Sequence, residues 1–289
     1  MGGGSWTTEK FVNYSKSLSR GLSADGSVNI KNCSAQAVYT ARRLNPALDP
    51  KNQIRECCDS SEHPNTIPVI LALDVTGSMG RSAVEVASEL NNIMTELYKD
   101  MTDVEFMIMG IGDCAYDDAP LQVSQFESDI RIAEQLDKLY FEGGGGGNSF
   151  ESYTAAWQFA NDNTKLDCWK RGKKGIIITM GDENLNPYLA TGYDEAVGRE
   201  GKDTPELYKE VTQKYDVYHI NVKHDSYNRV DKRTWIDVIG EDNYFESEVK
   251  GIAQLIPNII REHEGTASVA VPVDCATDVN FDENGAIVW

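Results

Sequence analysis

Uninterrupted apolar runs alternate with helical periodicities through the middle of this chain of 289 residues. An apolar run bounded by turn residues is typical of a strand buried on both faces, whereas apolar side chains every three or four residues indicate a helix. The predicted strands lie at 67–74, 104–112, 174–183 and 216–222, and the predicted helices at 81–101, 150–161, 204–214 and 233–239. This alternation predicts an α/β fold with a mostly parallel central sheet and helices on both faces.

Three further segments complete the predicted core. Residues 121–126 alternate between apolar and polar positions, which predicts a short edge strand that folds back antiparallel to its neighbour. The next helix carries apolar residues from Ile132 to Leu139. A last helix has one apolar stripe from Phe245 to Ile259, in which Pro257 is expected to kink the helix or interrupt its packing.

We expect one domain over residues 64–264 with an appendage at each end. Residues 1–63 are predicted to be a helical and irregular N-terminal appendage, and residues 265–289 a C-terminal tail that allows a β-hairpin. The elements expected in these flanks are helices at 9–19 and 34–44, a helical turn at 54–58, a strand at 267–273 and a turn at 282–285.

The end of the first strand carries the most informative motif. Asp74 closes the apolar run, and Thr76 and Ser78 follow at alternate positions, with glycines nearby. An extended loop turns alternate side chains to one side, and ligands of open α/β sheets bind at the carboxyl ends of the strands. Three small oxygen ligands suit a hard cation such as Mg²⁺. The alternative is that these side chains only cap the helix that begins near Arg81.

The sequence Asp-Val-Thr-Gly-Ser-Met, which begins at Asp74, resembles the first motif of von Willebrand factor A (vWA) domains. Those domains build a metal-ion-dependent adhesion site, and the order of predicted elements over residues 64–264 is similar to theirs. The resemblance implies a Rossmann-like vWA fold with one antiparallel edge strand. It also implies a bound Mg²⁺, with Mn²⁺ or Ca²⁺ as alternatives, that keeps one coordination position open for a partner's carboxylate.

Two later loops resemble the family's other metal-binding loops, with departures. Asn148, after the glycine run 143–147, stands where the family has threonine, and Met180 stands where it has aspartate. Because a thioether is a poor ligand for Mg²⁺, we select Asp182, two residues further along the same face. Asp113, in an acidic loop after the second strand, is expected nearby. The glycine run also fits a flexible linker or, without the Lys-Ser/Thr ending, a phosphate-binding loop.

The resemblance implies a protein-binding module, not an enzyme, in which the bound metal coordinates an acidic residue of a partner. For intracellular members of the family, that partner is often an ATPase or a multiprotein assembly. The alternative is phosphoryl transfer with Asp74 as the nucleophile, because the same motif resembles the phosphorylation site of P-type ATPases and haloacid-dehalogenase-like enzymes. There Val75 replaces the motif's lysine. A purely structural domain without metal is a third possibility.

The net charge and the cysteine content limit the partners and the cellular compartment that we expect for this protein. The formal net charge of −19 disfavours nucleic acid and anionic membranes as principal partners. No run of 18 apolar residues is present, and the first residues lack the apolar core of a signal peptide, so we expect a soluble, cytoplasmic protein. The six cysteines are scattered, as suits reduced thiols. An alternative for Cys57, Cys58 and His63 is zinc binding.

Overall fold

The structure, a computed structural model, describes most of the chain. The described residues are 4–18, 39–142, 150–188, 202–224, 230–266, 280–281 and 287–288. The strands are β1 (Arg55–Cys57), β2 (Ile67–Asp74), β3 (Val104–Ile111), β4 (Leu121–Val123), β5 (Phe150–Glu151), β6 (Thr164–Leu166), β7 (Gly175–Gly181), β8 (Asn184–Leu185), β9 (Tyr215–Lys223), β10 (Tyr244–Glu248), β11 (Asn280–Phe281) and β12 (Ile287–Val288). The helices are α1 (Thr8–Ser17), α2 (Gly80–Ser88), α3 (Leu90–Leu97), α4 (Arg131–Leu136), α5 (Tyr153–Asp162), α6 (Thr204–Val211), α7 (Arg233–Ile239) and α8 (Val249–His263), with 3-10 turns at Asp167–Arg171 and Glu241–Asn243.

The central sheet has six strands in the order β10-β9-β7-β2-β3-β4. Strand β4 is antiparallel to β3, and all other neighbours are parallel. The predicted fold class, a mostly parallel sheet with one antiparallel edge strand and helices on both faces, is confirmed. Three pairs of short strands lie outside this sheet: β1 with β6, β5 with β8, and β11 with β12.

The sheet separates two apolar cores, and β2 at its centre contributes to both. Val69, Leu71 and Leu73 face α1, α2, α3, α4 and α8, whereas Ile70 and Ala72 face α5, α6 and α7. Because successive side chains of a strand point to opposite faces, a central strand covered on both sides must be apolar at every position. Burial of each large aliphatic side chain stabilises the fold by about 1.5–3 kcal/mol.

The N-terminal flank contributes to the first of these cores. Trp6, Phe11, Tyr39 and Leu48 are buried in it. The predicted helical turn at 54–58 is wrong, because β1 forms parallel backbone pairs with β6 and the sheet edge outweighs local helical preference. Residues 39–44 are not helical, and the remainder of the helix predicted at 34–44 lies outside the described residues. The boundary at residue 63 stays a prediction.

Other element boundaries differ from the prediction for similar reasons. The helix predicted at 81–101 is divided into α2 and α3 at Glu89. Phe150 begins a strand and not a helix, because β5 pairs with β8. Phe245 likewise belongs to β10, where it pairs with Ile220 of β9, and α8 then continues through Pro257.

Only two short segments of the C-terminal tail are described, so the predicted tail stays a prediction. Strands β11 and β12 form an antiparallel pair, as a hairpin requires. The predicted strand at 267–273 and the turn at 282–285 lie outside the described residues. Among the helices that the structure describes, none combines the length and apolar character needed to cross a bilayer.

Candidate metal centre

Asp74 lies at the carboxyl end of β2 with no exposed surface, 0%. Its Oδ1 accepts hydrogen bonds from the backbone N–H of Thr76 at 2.9 Å and from the Thr76 hydroxyl at 2.7 Å. Its Oδ2 accepts a hydrogen bond from the Tyr153 hydroxyl at 3.0 Å. The first loop therefore folds back on its own carboxylate, and α5 holds that carboxylate from the other side.

A chain of hydrogen bonds extends from Asp74 to the end of β7. Thr76 Oγ1 lies 3.2 Å from Ser78 Oγ, and Ser78 Oγ donates to Asp182 Oδ1 at 2.9 Å. The other oxygen of Asp182 accepts a hydrogen bond from His224 Nε2 at 2.7 Å. The structure thus brings together four of the predicted metal ligands, from two different strand ends.

The two hydroxyls in this chain offer lone pairs to the same space. Each hydroxyl has one hydrogen, which Thr76 directs to Asp74 and Ser78 directs to Asp182. The two oxygens lie 3.2 Å apart, and either hydroxyl can donate across this contact.

Gly181 makes this close approach of elements feasible. It ends β7, and a Cβ built on it lies 1.9 Å from the Tyr153 hydroxyl oxygen and 2.9 Å from Asp74 Cβ. Any side chain at this position would displace the tyrosine from the carboxylate. The small residue is required here for space, since its backbone conformation is ordinary.

Beneath Asp74 lies a layer of aromatic rings. Tyr153 packs edge-on against Trp235 with ring centroids 5.0 Å apart, and His219 stacks on Trp235 at 3.5 Å. His219 Nδ1 is paired with the Thr179 hydroxyl at 2.9 Å, and burial lowers the His219 pKa well below its usual range. The neutral imidazole packs as a structural residue of the sheet, and this layer fixes the position of Tyr153.

Acids face other acids around this centre. Burial, followed by the charge of Asp182, raises the pKa of Asp74 to about 7. Burial, followed by the charge of Asp74, raises the pKa of Glu151 to about 10. Ionising these groups together is unfavourable in the metal-free protein, because each carboxylate is deprived of water and placed near another. A bound cation would reverse this effect.

Asp113 lies beside this centre but outside the hydrogen-bonded chain. It is 2% exposed, its Oδ1 accepts the N–H of Ala115 at 2.8 Å, and its own N–H donates to Asp117 Oδ2 at 2.7 Å. Its charge is among those that raise the pKa of Glu151. Asn148, the predicted second-loop ligand, lies outside the described residues.

Met180 packs in the first apolar core and is 3% exposed. Its side chain therefore lies on the face of the sheet that α1, α2, α3, α4 and α8 cover. Asp182, by contrast, reaches Ser78 of the first loop. The choice of Asp182 over Met180 as a metal ligand stays a prediction.

The donor set fits a hard divalent cation. Asp74, Thr76, Ser78 and Asp182 offer only oxygen, the donor that Mg²⁺, Mn²⁺ and Ca²⁺ prefer. Within the described part of the chain, no group of three or more His, Cys, Asp or Glu side chains is placed to hold a metal ion. A site of this kind therefore depends on the two hydroxyls as well as on the carboxylates.

Three residues of the centre were missed or undervalued by the sequence reasoning. These residues are Tyr153, Glu151 and His224, and none of them belongs to a motif that predicts the site. His224 directly follows β9, whose carboxyl end lies at the same edge of the sheet as those of β2 and β7. The rule that ligands gather at these ends would have identified it.

An open groove of about 780 Å³ adjoins the centre at Ser78 and His224. It lies between the first turns of α2 and α8. Its walls include Arg81 and Lys223, which form ion pairs of 2.7 Å with Glu85 and Glu246, respectively. Its rim includes Lys250, an exposed side chain without an ion-pair partner among the described residues. The lining also includes the acids Glu85 and Glu248, so the cations and acids of the groove are close to balanced in a protein whose net charge is −19.

No family model matches the chain, and no curated protein matches it. Similar solved structures include the pilus adhesin SpaC from Lactobacillus rhamnosus GG, with 13% identity, a TM-score of 0.47 and coverage of 74% of this chain. They also include the SpRpn10 VWA domain, with 14% identity, a TM-score of 0.44 and coverage of 71% of this chain and 100% of that domain.

A third similar structure is the vWF domain of the type V pili tip protein Mfa5 from Porphyromonas gingivalis, with 12% identity and a TM-score of 0.45. The match covers 71% of this chain and 98% of that domain. The chain spans 31% of the length of SpaC. The predicted vWA-type fold is confirmed by the order and directions of the strands in the central sheet, and domains that bear this name are among the similar structures.

Proposed function

We propose that this protein is a protein-binding module that depends on a divalent cation. Asp74, Thr76, Ser78 and Asp182 would hold the ion, with Mg²⁺ as the first choice and Mn²⁺ or Ca²⁺ as alternatives. An acidic side chain of a partner protein would complete the coordination. A bound dication supplies the positive charge that the buried carboxylates lack and attracts an anionic ligand.

One observation carries this proposal: the hydrogen-bonded chain that joins Asp74, Thr76, Ser78 and Asp182. It places side-chain oxygens from two strand ends in contact with one another. Octahedral coordination of Mg²⁺ usually retains positions for water or an external ligand. The two carboxylates also balance the charge of one dication, so a third, external carboxylate is not strongly repelled.

The groove beside Ser78 indicates which kind of partner surface would bind there. An acidic segment that reached the ion with one carboxylate could place others near Arg81, Lys223 and Lys250. Charge complementarity of this kind increases the rate and the specificity of association more than the final affinity. The partner is therefore proposed to present an acidic surface segment. A partner ATPase or multiprotein assembly, and a cytoplasmic location, stay predictions from the sequence.

Calorimetric titration of Mg²⁺, Mn²⁺ and Ca²⁺ tests the metal directly. Wild-type protein is expected to bind one divalent ion, and Asp74→Ala is expected to lose at least tenfold in affinity. A variant of an exposed acid, Asp118→Ala, provides the matched control because it removes one carboxylate from a nearby loop. Equal affinity of the wild type and Asp74→Ala would contradict the proposal.

Binding of the acidic partner is tested with synthetic peptides. A labelled peptide with three spaced Asp residues is compared with its Asn counterpart by fluorescence anisotropy, in Mg²⁺ and in chelator. The Asp peptide is expected to bind only with Mg²⁺, and Lys250→Glu is expected to weaken that binding without changing metal affinity. Binding of the Asn peptide to the same extent would contradict coordination by a carboxylate.

We propose binding and not phosphoryl transfer because of the position of Asp74. As a nucleophile it would need an oxygen that a phosphoryl group can approach in line. Asp74 has no exposed surface, and both of its oxygens accept hydrogen bonds. Phosphatase turnover that is lost in Asp74→Asn would favour the enzyme instead.

A further inference from the structure

Three buried polar atoms on strands β9 and β10 have no hydrogen-bond partner among the described residues. They are His219 Nε2, Asn221 Nδ2 and the hydroxyl oxygen of Tyr244. The side chains of His219 and Asn221 belong to residues that are 0% and 1% exposed, respectively. A buried donor or acceptor that loses water without gaining a partner is destabilising, so native proteins satisfy nearly all such groups.

The strand register brings these three side chains together. His219 and Asn221 are two residues apart on β9, so they point to the same face of the sheet about 7 Å from each other. Tyr244 pairs with His219 across the parallel strands β9 and β10, about 4.8 Å apart, and shares that face. The rings of His219 and Tyr244 have centroids 5.7 Å apart. Burial raises the pKa of Tyr244 to about 12, and the neighbouring Asn221 side chain opposes this rise.

The other groups around this cluster are already paired or too small to help. Trp235 stacks on His219 at 3.5 Å, and the Thr179 hydroxyl is paired with His219 Nδ1 at 2.9 Å. The residue beside Asn221 on β7 is Gly181, which has no side chain. Within the described part of the chain, the adjacent strands therefore supply no partner for any of the three atoms.

A ligand for these atoms must accept and donate hydrogen bonds without carrying charge. The amide nitrogen of Asn221 only donates, whereas the Tyr244 hydroxyl can donate or accept. Burial lowers the His219 pKa well below its usual range, so its imidazole is neutral, and Nε2 donates or accepts according to the tautomer. A cation would meet the Asn221 hydrogens, and an anion would meet no positive charge on these three groups. Water, with two donors and two acceptors, suits either tautomer.

We propose that one buried water molecule binds His219, Asn221 and Tyr244 and joins strand β9 to strand β10 through their side chains. Buried waters typically make about three hydrogen bonds to groups that lack other partners. A water about 2.7–3.2 Å from each atom can bridge atoms about 5 Å apart, a separation that the register allows. Strand β10 is the edge of the sheet and continues directly into α8, so the water fastens this edge. The site goes beyond the proposed function and does not depend on the metal.

Nuclear magnetic resonance of the full chain, in chelator, tests this site. The side-chain amide of Asn221 is expected to show a cross-relaxation peak with a long-lived water. Tyr244→Phe removes one hydrogen bond to that water and should shorten its residence time about threefold to tenfold, measured by oxygen-17 relaxation dispersion. Tyr215→Phe is the matched control, because that hydroxyl on the same face of β9 is paired directly with Thr164. It should leave the peak and the residence time unchanged.

The competing arrangement is a direct hydrogen bond between Tyr244 and Asn221 without water. It predicts no water peak at the Asn221 amide of the wild type, and that result would overturn the proposal even if Tyr244→Phe fails to fold. An unchanged residence time in Tyr244→Phe would overturn it as well, since Tyr244 would then not bind the water. An equal change in Tyr215→Phe would have the same consequence, because the effect would not be specific to this cluster.

Discussion

The two ends of the central sheet differ in the neighbours of their acidic side chains. At the amino end, acids and cations are matched: His263 lies 3.1 Å from Asp216 and 3.0 Å from Glu264. Lys174 and Lys173 add contacts of 3.0 and 3.3 Å to the same two acids. Hydrogen bonds from His263 lower the pKa of both carboxyl groups.

At the carboxyl end, the pKa values move the other way. Burial and acidic neighbours raise the pKa of Asp74 to about 7 and that of Glu151 to about 10. Both ends belong to the same sheet, so the difference does not come from the fold class. A protein that matches its acids at one end can do so at the other. Asp74 and Glu151 have no cation beside them among the described residues, which is the feature that the proposed metal would explain, and four variants can test this contrast.

The largest effect is expected from Gly181→Ala. A Cβ at this position lies 1.9 Å from the Tyr153 hydroxyl oxygen, so the variant must separate β7, α5 and Asp74. We expect a loss of about 3 kcal/mol or more in the free energy of unfolding, measured with urea. Gly251→Ala in α8 is the control. Its Cβ meets only the Ser247 hydroxyl, and alanine favours a helix by about 1 kcal/mol, so it should be neutral or stabilising.

Arg261→Met probes the matched end. The guanidinium is 2% exposed and bonds both oxygens of Asp100 at 2.9 and 3.0 Å. Because Asp100 is half exposed, removal of its partner should cost about 2–3 kcal/mol in unfolding free energy, below the cost for a fully buried pair. Arg81→Met, at an exposed ion pair with Glu85, should stay within about 0.5 kcal/mol. Equal effects in the two variants would remove the contrast between buried and exposed pairs.

Unlike the two preceding variants, Asp74→Asn is expected to increase the unfolding free energy of the metal-free protein. The pKa of Asp74 in the folded state is raised to about 7, so the carboxyl group is ionised at pH 8. Its ionisation in this buried position destabilises the folded state relative to the unfolded state. The amide retains an acceptor for Thr76 and removes the charge. We expect the metal-free protein to gain about 1–2 kcal/mol in thermal or urea unfolding with chelator, and to lose metal-dependent stabilisation. A less stable metal-free variant would show that the acids at this end are matched after all.

The smallest effect on the unfolding free energy is expected from His263, and this effect depends on pH. Burial alone would lower its pKa, but hydrogen bonds to Asp216 and Glu264 raise it to about 9. A raised histidine pKa stabilises the folded state fully below the unfolded value of about 6.5, and this contribution disappears as the pH rises through about 9. Unfolding free energy should therefore fall by about 1–2 kcal/mol over that interval, and His263→Gln should flatten the profile. An unchanged slope in the variant would contradict the assignment.

The sequence was sufficient for five of the six strands of the central sheet and for the position of the loop that follows β2. Strands β2 and β7 are apolar at nearly every position, and the position of Asp74 follows from where β2 ends. The selection of Asp182 needed only the coordination chemistry of a thioether. These features depend on local patterns, which a single sequence displays.

The features that the sequence did not predict depend on contacts between distant segments of the chain. Strands β1, β5 and β10 form because a neighbouring strand supplies backbone partners, and their own sequences do not specify this. Tyr153 reaches Asp74 only because position 181 is glycine. His224 is joined to Asp182 across 42 residues. The position of Asp74, Thr76 and Ser78 at the end of β2 was predictable, whereas the side chains that support Asp74 and Asp182 were not, and the bound metal stays a prediction.

The junction between β10 and α8 has a mechanical consequence. Glu248 ends the strand and Val249 begins the helix, so no loop lies between them. Strand β10 is joined to β9 over five paired residues, and Lys250 of the first helical turn lines the groove. Tension applied by a bound partner would pass directly into this edge of the sheet as shear. The force that the complex withstands would then depend on the five residue pairs between β10 and β9 and not on the stiffness of a connecting loop.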